Sequence, residues 1–172
     1  MAEIKIQYLE TGIGPLVMGA YEGKLCLLDY RDRKLRGTVA RRLARGLGAE
    51  FVERDEDLFQ EARGQLGQYL AGQRVEFSLP ILLVGSAFQQ QVWQALTQVP
   101  YGKTASYLDI AKAIDNEKAV RAVAGACGAN SLALLIPCHR IIGSDGRLGG
   151  YGGGVELKKR LLALEQGGLT GG

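Results

Sequence analysis

Residues 106–127 read SYLDIAKAIDNEKAVRAVAGAC, and this stretch decides the fold of the second half of the chain. Ser106 precedes a short predicted helix, and Asn116 precedes a second one over residues 117–127; both residue types favour the N-cap position. Two short helices joined by a tight turn, the second rich in alanine, form the helix-turn-helix pattern. On the second helix we expect the buried side to consist of Val120, Val123, Ala124 and Cys127.

The helix-turn-helix pattern does not by itself establish DNA binding, because many helical hairpins bind nothing. Upstream, Ser-Ala-Phe-Gln at residues 86–89 forms a capping box that opens a helix to about residue 98. Downstream, the apolar run LALLI at residues 132–136 is expected to be buried and leads to Pro-Cys-His-Arg at residues 137–140. A glycine-dense loop and a last helix follow, over residues 143–154 and 155–165.

The first half of the chain is expected to be a three-stranded antiparallel sheet with helices, which makes the whole an α/β (α+β) protein. The predicted strands cover residues 4–8, 16–21 and 24–30, the helices cover residues 32–45 and 55–70, and residues 75–79 are expected to be extended. We divide the chain into an N-terminal domain, a connection, a C-terminal domain and a flexible tail, at residues 1–80, 81–87, 88–166 and 167–172.

Composition narrows the class of protein. The 172 residues are 47% hydrophobic and 23% charged, as in ordinary globular domains. Neither a membrane-spanning stretch nor a secretory signal is visible, so we expect a cytoplasmic protein without membrane contact. The 3 cysteines lack a CxxC spacing and there is 1 histidine, which excludes a disulfide framework and a His/Cys metal site. We expect no metal and no cofactor.

Charge is distributed unevenly along the first half. Residues 31–45 are strongly basic, and residues 50–61 are strongly acidic. Adjacent blocks of opposite sign usually form solvated helix faces, and we expect these two to pair with each other. The alternative is that the basic block contacts a polyanion.

Cys138 is a candidate nucleophile, because it leaves a buried apolar run beside the single histidine, His139. A thiol with a pKa of about 8.5 is only about 3% ionised at pH 7, so it needs activation. The alternative is a small buried cysteine beside a structural histidine. In an extended segment the two side chains point to opposite faces, so contact between them requires a sharp turn or a bridging water.

The tetrapeptide at residues 137–140, with Asn130 before it and Gly-Gly-Tyr-Gly-Gly-Gly at residues 149–154 after it, resembles the methylated-DNA–protein-cysteine methyltransferase family, also called O6-alkylguanine-DNA alkyltransferases. Agreement extends upstream through Phe-Gln-Gln-Gln-Val-Trp at residues 88–93, Ser-Tyr at residues 106–107 and Ala-Val-Arg-Ala-Val at residues 119–123. The resemblance covers residues 85–165 and implies a winged helix-turn-helix domain after a ribonuclease H-like one.

The resemblance implies a single-turnover DNA repair protein. Cys138 would take the alkyl group from O6-alkylguanine in double-stranded DNA, after the nucleotide is flipped out towards the minor groove. Arg121 would fill the vacated space in the stack, and Tyr107 would press on the target phosphate and donate a hydrogen bond to the base. The remaining DNA-contacting residues would be Ala119, Ala122, Ala126 and Arg140.

The resemblance also implies how the thiol is activated and where the base is held. A water-bridged chain would run from Cys138 through His139 to Glu165, and Asn130 would tie the helix-turn-helix to the active-site loop. The guanine pocket would be lined by Tyr151, Gly152, Gly153 and Ile141. Some relatives carry serine at the position of Gly152, so a hydroxyl contact is lost here while the main-chain N–H remains.

Two other functions are weighed against alkyl transfer. A non-catalytic sensor of alkylated DNA on the same fold would lack the nucleophile, and Cys138 argues against it. A cysteine hydrolase would use His139 as a direct base. For the transferase we expect a monomer, with O4-alkylthymine as an additional substrate.

Overall fold

The structure is a computed structural model in which residues 2–167 are described. Most of the predicted tail, residues 168–172, therefore lies outside the described residues. No helix within residues 2–167 is long and apolar enough to cross a membrane. The first half contains β1 (Ala2–Thr11), β2 (Gly14–Tyr21), β3 (Lys24–Tyr30), α1 (Arg36–Leu47), β4 (Ala49–Glu53) and α2 (Asp57–Leu70).

The second half is mainly helical. It contains α3 (Ala87–Leu96), β5 (Ala105–Ser106), α4 (Tyr107–Ala113), a 3-10 turn (Glu117–Ala119), α5 (Val120–Gly128), a second 3-10 turn (Cys138–Arg140), β6 (Ile141–Ile142) and α6 (Val155–Gly167). The mixed α/β class predicted from the sequence is confirmed, with a sheet in the first half and a helical second half.

The sheet has the order β3-β2-β1-β4. The three predicted strands pair antiparallel, and β4 adds a parallel strand beside β1 that the sequence analysis did not include. This strand reads Ala-Glu-Phe-Val-Glu, and its exposed Glu50 and Glu53 belong to the acidic block. The strand was missed because its glutamates made the segment look like a solvated charged block. Exposed charged side chains are common on edge strands such as this one.

The two halves are joined along β3. Leu28 N–H donates to the carbonyl of Ser131 at 2.7 Å, and Ala133 N–H donates to the carbonyl of Leu28 at 2.8 Å. The apolar run over residues 132–136 is largely buried there, as predicted, within a core cluster that includes residues of both halves. This pairing fixes the position of the chain just before Cys138.

The helix-turn-helix is present, but its second helix begins later than predicted. Asn116 makes no side-chain cap hydrogen bond, and the 3-10 turn precedes α5. Val123 and Ala126, three positions apart on the same side of α5, are buried, whereas Ala124 is exposed. The expected buried side was therefore wrong for Ala124.

Residues 75–79 form neither a strand nor a helix, which is compatible with the expected extended segment; the side chain of Gln65 binds Ser78 there, accepting from its N–H at 2.9 Å and donating to its Oγ at 3.0 Å. The expected pairing of the two charged blocks was wrong. Among residues 2–167 the basic and acidic blocks form no ion pair with each other. Arg33 and Arg42 of the basic block bind backbone carbonyls of the second half instead.

The capping box predicted at Ser86 is formed, and Ser106 caps its helix as predicted, with Asp109 completing a capping box there too. We expect Ser86→Ala and Ser106→Ala each to lower the free energy of unfolding by about 1 kcal/mol, because a helix N–H loses its acceptor. The melting temperature should fall by roughly 2–4 °C. Thermal melts check this, with Ser144→Ala in an exposed loop as the control; equal midpoints for all three variants would contradict the capping role.

Candidate active site

A pocket of about 540 Å³ lies between the two halves and contains Cys138. The second half contributes the ends of α4 and α5, the loop that follows α5, and the glycine loop. The first half contributes the segment between β3 and α1, which the sequence analysis did not associate with a site. The lining residues include Tyr30, Arg33, Lys34, Leu35, Tyr107, Asn130, Cys138, Tyr151 and Gly152.

Cys138 opens a 3-10 turn directly after Pro137. The turn removes the alternation expected of an extended segment: the Cys138 side chain is half-buried and lines the pocket, while His139 is fully buried behind it. Asn130 donates from Nδ2 to Sγ of Cys138 at 3.3 Å. The hydrogen-bond partner of the thiol is therefore an amide rather than the imidazole.

Asn130 connects the end of α5 to the segment before the cysteine. It is buried, and its Nδ2 also donates to the carbonyl of Ile136 at 2.9 Å. Its Oδ1 accepts from the N–H of Leu132 at 2.9 Å. These bonds use both ends of the amide, so the side chain has one orientation and presents a donor to Sγ.

Behind the pocket, Glu165 is the centre of a buried ionic cluster. Its Oε2 lies 2.6 Å from Nε2 of His139, and both side chains are 0% exposed. Arg140 donates from Nε to Oε1 at 2.7 Å, and the Tyr69 hydroxyl donates to Oε2 at 2.5 Å. Burial opposes ionisation of this carboxyl, but the bonds from His139, Arg140 and Tyr69 outweigh it and lower its pKa to about 2.

The cluster fixes the state of His139. Burial lowers the imidazole pKa, although Glu165 opposes the shift. A neutral ring beside a carboxylate carries its proton on Nε2 and donates it to Glu165, which leaves Nδ1 as an acceptor. Nδ1 is buried and has no hydrogen-bond partner among the residues described. Its free lone pair is thus available to accept a proton.

Lys158 of α6 holds the glycine loop in place. This buried lysine donates to the carbonyls of Ile141, at 2.5 Å, and of Leu148 and Gly150. The sequence offered a signal for its burial, since Lys158 lies three and four positions before Leu161 and Leu162, on the same helix face. It was missed because lysine is almost never fully buried.

Three tyrosines, Tyr30, Tyr107 and Tyr151, line the pocket. A Cβ atom at Gly149 would lie 2.9 Å from the Tyr107 hydroxyl, and this glycine has a φ of +72°, so both the space and the backbone require glycine. Across the pocket, the hydroxyls of Tyr30 and Tyr151 are hydrogen-bonded to each other. Burial raises the pKa of Tyr107, so its hydroxyl stays protonated as a donor.

The structure brings most predicted pocket residues together, but it excludes four predicted site residues from their expected places. Ala126 is 3% exposed and faces the core, and Arg140 is 7% exposed and bonded to Glu165, so neither side chain meets DNA. Ile141 is buried in its pairing with Ala105. Gly153 packs against Tyr30 and Leu157 instead of lining the pocket. Ala126 and Ile141 belong to the hydrophobic core, while Arg140 and Gly153 are held against Glu165 and Leu157 of α6.

The outer face of α5 matches the expectation better. Arg121 and Ala122 are exposed, and Ala119 at the end of the preceding turn is half-buried. One long basic side chain therefore projects from a surface of small residues.

The three cysteines have different electrostatic environments. Burial raises the pKa of Cys26 and of Cys127 to about 12. Burial also raises the pKa of Cys138, but the hydrogen bond from Asn130 and the charges of Arg33 and Lys158 oppose the shift. Of the three cysteines, only Cys138 lies in the pocket and also accepts a hydrogen bond from Asn130 and has the rise in its pKa opposed by the charge of Arg33.

Both halves match described protein families. The 6-O-methylguanine DNA methyltransferase DNA-binding domain matches residues 87–167, and the ribonuclease-like domain of the same proteins matches residues 4–83. The chain belongs to the 6-O-methylguanine DNA methyltransferase family. This is a family of DNA repair enzymes that move the alkyl group of O6-alkylguanine to a cysteine of the protein.

Particular relatives match over nearly the whole chain. The methylated-DNA–protein-cysteine methyltransferase of Methanosarcina barkeri is 39% identical over 161 residues, which covers 94% of this chain and 96% of the relative. That of Mycobacterium leprae is 38% identical, covering 95% and 93%. Among solved structures, Mycobacterium tuberculosis OGT in complex with DNA has a TM-score of 0.80 at 37% identity, covering 94% and 92%. The O6-methylguanine-DNA methyltransferase of Pyrococcus kodakaraensis has a TM-score of 0.65 at 26% identity, covering 94% and 98%.

The lowered pKa of Glu165 predicts a specific loss of stability in acid. A carboxyl whose pKa falls from 4.5 to about 2 on folding stabilises the fold fully above pH 4.5 and loses that contribution as the pH falls towards 2. The loss should reach about 3 kcal/mol. Denaturant midpoints measured across this range check it.

Glu165→Gln should be less stable than the wild type at neutral pH and should have a flatter acid limb. Glu53→Gln, an exposed control, should keep the wild-type slope. If Glu165→Gln lost as much stability on acidification as the wild type, the carboxylate would not be the source of the effect.

Proposed function

We propose that this protein repairs O6-alkylguanine in DNA by moving the alkyl group to Sγ of its own Cys138, where it stays as a thioether. The observation that carries the proposal is the placement of Cys138 in a pocket, bonded to Asn130 and backed by the His139–Glu165 pair. Because the thioether is not hydrolysed, each chain acts once. O4-alkylthymine contains the same alkyl–oxygen bond, and we include it as a second substrate.

The reaction is a displacement at the alkyl carbon. The bond from Sγ to this carbon forms while the carbon–O6 bond breaks, and the electron pair of the broken bond goes to O6 of guanine. The thiol proton leaves Cys138 through a water to Nδ1 of His139, whose ring is held by Glu165. The Tyr107 hydroxyl donates a hydrogen bond to the base as negative charge develops, and passes its proton to the guanine anion. The proton taken up by His139 balances this one, and Tyr107 is reprotonated through solvent, so that one proton leaves the thiol and one reaches the base.

Access to the pocket requires the nucleotide to leave the duplex. The sulfur of Cys138 lies inside the pocket and not on the surface of the protein. A base that is still stacked in the duplex therefore cannot reach it. We assign the entry side to the outer face of α5, in the minor groove, with Ala119 and Ala122 allowing close approach. Arg121 occupies the space that the flipped nucleotide leaves. The main-chain N–H of Gly152 and the ring of Tyr151 hold the base.

The proposal needs only one copy of the chain, because the nucleophile Cys138, its donor Asn130 and the His139–Glu165 pair are already brought together within one chain. We therefore propose a monomer. The three cysteines are free thiols, and transfer requires Cys138 to be reduced, so a reducing compartment such as the cytoplasm suits the reaction.

Two observations disfavour the other functions. A non-catalytic sensor has no need of a thiol held by a dedicated donor, as Asn130 holds Cys138. A cysteine hydrolase needs the histidine as a direct base, whereas the hydrogen-bond partner of Sγ is Asn130 and not His139.

Cys138→Ser should bind DNA but lose transfer, because a serine hydroxyl is a much weaker nucleophile than a thiolate. Cys127→Ser, the matched control from the same pocket, should keep transfer. The measurement uses an oligonucleotide with labelled O6-methylguanine and peptide mass mapping of the protein. Label on Cys26 or Cys127, or turnover beyond one per chain, would contradict the assignment.

Arg121→Ala should slow repair of duplex DNA by about tenfold or more and leave the reaction with free O6-benzylguanine unchanged, because a base outside the duplex needs no flipping. Lys118→Ala at an exposed position beside α5 should weaken DNA binding at all sequences and reduce its salt dependence. Equal losses for Arg121→Ala on both substrates would assign the residue to the pocket instead.

A further inference from the structure

Two arginines of the first half bind the end of the helix that faces DNA. Arg33 donates from Nη2 to the carbonyl of Gly128 and from Nη1 to the carbonyl of Asn130, at 3.4 Å for the second bond. Arg42 donates from Nη2 to the carbonyl of Ala129 at 2.6 Å. A helix leaves its last carbonyls without partners inside the helix, and cations are favourable at that end. The first half therefore caps α5.

The two arginines differ in what else they meet. Arg33 has a side chain that is only 7% exposed, and it lines the pocket that contains Cys138. The guanidinium of Arg42 lies 5.4 Å from the ring centre of Trp93 and lines a separate groove, whose lining residues do not include Cys138. Both arginines therefore bind carbonyls at the end of α5, but only Arg33 also places its charge in the active-site pocket.

Gly152 provides the space that Arg33 occupies. A Cβ atom at this position would lie 2.9 Å from Nη1 and 3.0 Å from Cδ of Arg33. Any larger residue at position 152 must displace the whole guanidinium rather than its tip. The position of this charge thus depends on a glycine in the opposite wall of the pocket.

Arg33 is a cation of the first half that acts on the Cys138 thiol. Its charge lowers the pKa of Cys138, against the effect of burial, and Lys158 acts in the same direction. Burial lowers the pKa of Lys158 itself, whereas a guanidinium stays charged at all relevant pH values. The other charged or titratable groups around the thiol are Asp29, Cys127, His139, Tyr30, Tyr107 and Tyr151.

We propose that Arg33 is a positioning residue for the alkyl transfer: the first half of the chain uses it to supply a fixed positive charge to the Cys138 thiolate and to hold Asn130 against the sulfur. The inference deepens the proposed function and rests on it for its biological meaning. It assigns a chemical role to the first half, beyond packing against the second.

The test measures the reactivity of the thiol without DNA. Iodoacetamide alkylates the thiolate of Cys138, so the rate as a function of pH, followed by peptide mass, reports the ionisation of this thiol. Arg33→Met should move the midpoint up by about one pH unit, which is a roughly tenfold lower rate at a pH below the midpoint. Arg33→Lys keeps the charge and should keep the wild-type midpoint.

Arg42→Met is the matched control, because it removes a carbonyl clamp from the same helix end without removing a charge from the pocket. It should lower the melting temperature and leave the midpoint unchanged. If Arg42→Met or Arg33→Lys moved the midpoint as far as Arg33→Met, loss of structure rather than charge would be responsible and the proposal would be overturned.

A second route tests the same charge if Arg33→Met folds poorly. Gly152→Ser should displace the guanidinium and move the midpoint in the same direction by a smaller amount. In an Arg33→Ala background the serine should have no further effect, because nothing remains to be displaced. Strictly additive shifts would contradict the contact between Arg33 and Gly152.

Failure of this inference and failure of the proposed function give different results. A chain that transfers no label from O6-methylguanine would refute the repair function while leaving the iodoacetamide profiles intact. Unshifted profiles in Arg33→Met, with normal labelling from DNA, would refute the role of Arg33 alone. If both proposals hold, the pH profile for free O6-benzylguanine shifts with that for iodoacetamide.

Discussion

The buried carboxylate of Glu165 is the interaction on which the rest of the structure depends. It binds the imidazole of His139, the guanidinium of Arg140 and the hydroxyl of Tyr69, and so joins α6, the 3-10 turn at the cysteine and α2. A buried charge left without its partner costs about 3–5 kcal/mol, so Glu165 and Arg140 require each other. The same carboxylate orients the histidine behind Cys138, which means that stability and chemistry share one group.

A second constraint comes from the junction between the two halves. The backbone pairing of Leu28 with Ser131 and Ala133 sets where the apolar run enters the core. From there Asn130 and the 3-10 turn leave little freedom in the position of the sulfur. The active site is thus assembled on backbone hydrogen bonds that cross between the halves, rather than on a mobile loop.

Local signals in the sequence were reliable where the partner lies a few residues away. Ser86 and Ser106 cap their helices, because a capping box is complete within four residues. The start of α5 was missed, since nothing in the sequence required a 3-10 turn between Asn116 and Val120. Ala126, which the resemblance placed against DNA, is buried because it lies three positions after Val123 on the same side of α5.

Residues with distant partners were missed or misassigned for a different reason. Arg140 was expected on DNA from the family resemblance, and only the fold reveals that it is buried and paired with Glu165. Arg33 binds a carbonyl 95 positions later, and no periodicity or motif in a single sequence encodes that contact. The local sequence pointed to Cys138 beside His139, and the resemblance added Asn130 and Glu165, whereas the contribution of the first half is visible only in the folded chain.

The capping of α5 by arginines of the first half has a consequence for how such proteins diverge. Every residue type has a main-chain carbonyl, so these acceptors at residues 128–130 persist whatever the sequence of α5. Their donors, in contrast, are the side chains of Arg33 and Arg42 in the first half. Domains exchanged between relatives would therefore assemble with a full apolar interface and yet leave these carbonyls uncapped. Arginine at position 33 and glycine at position 152 should be inherited together, as a pair that neither half can change alone.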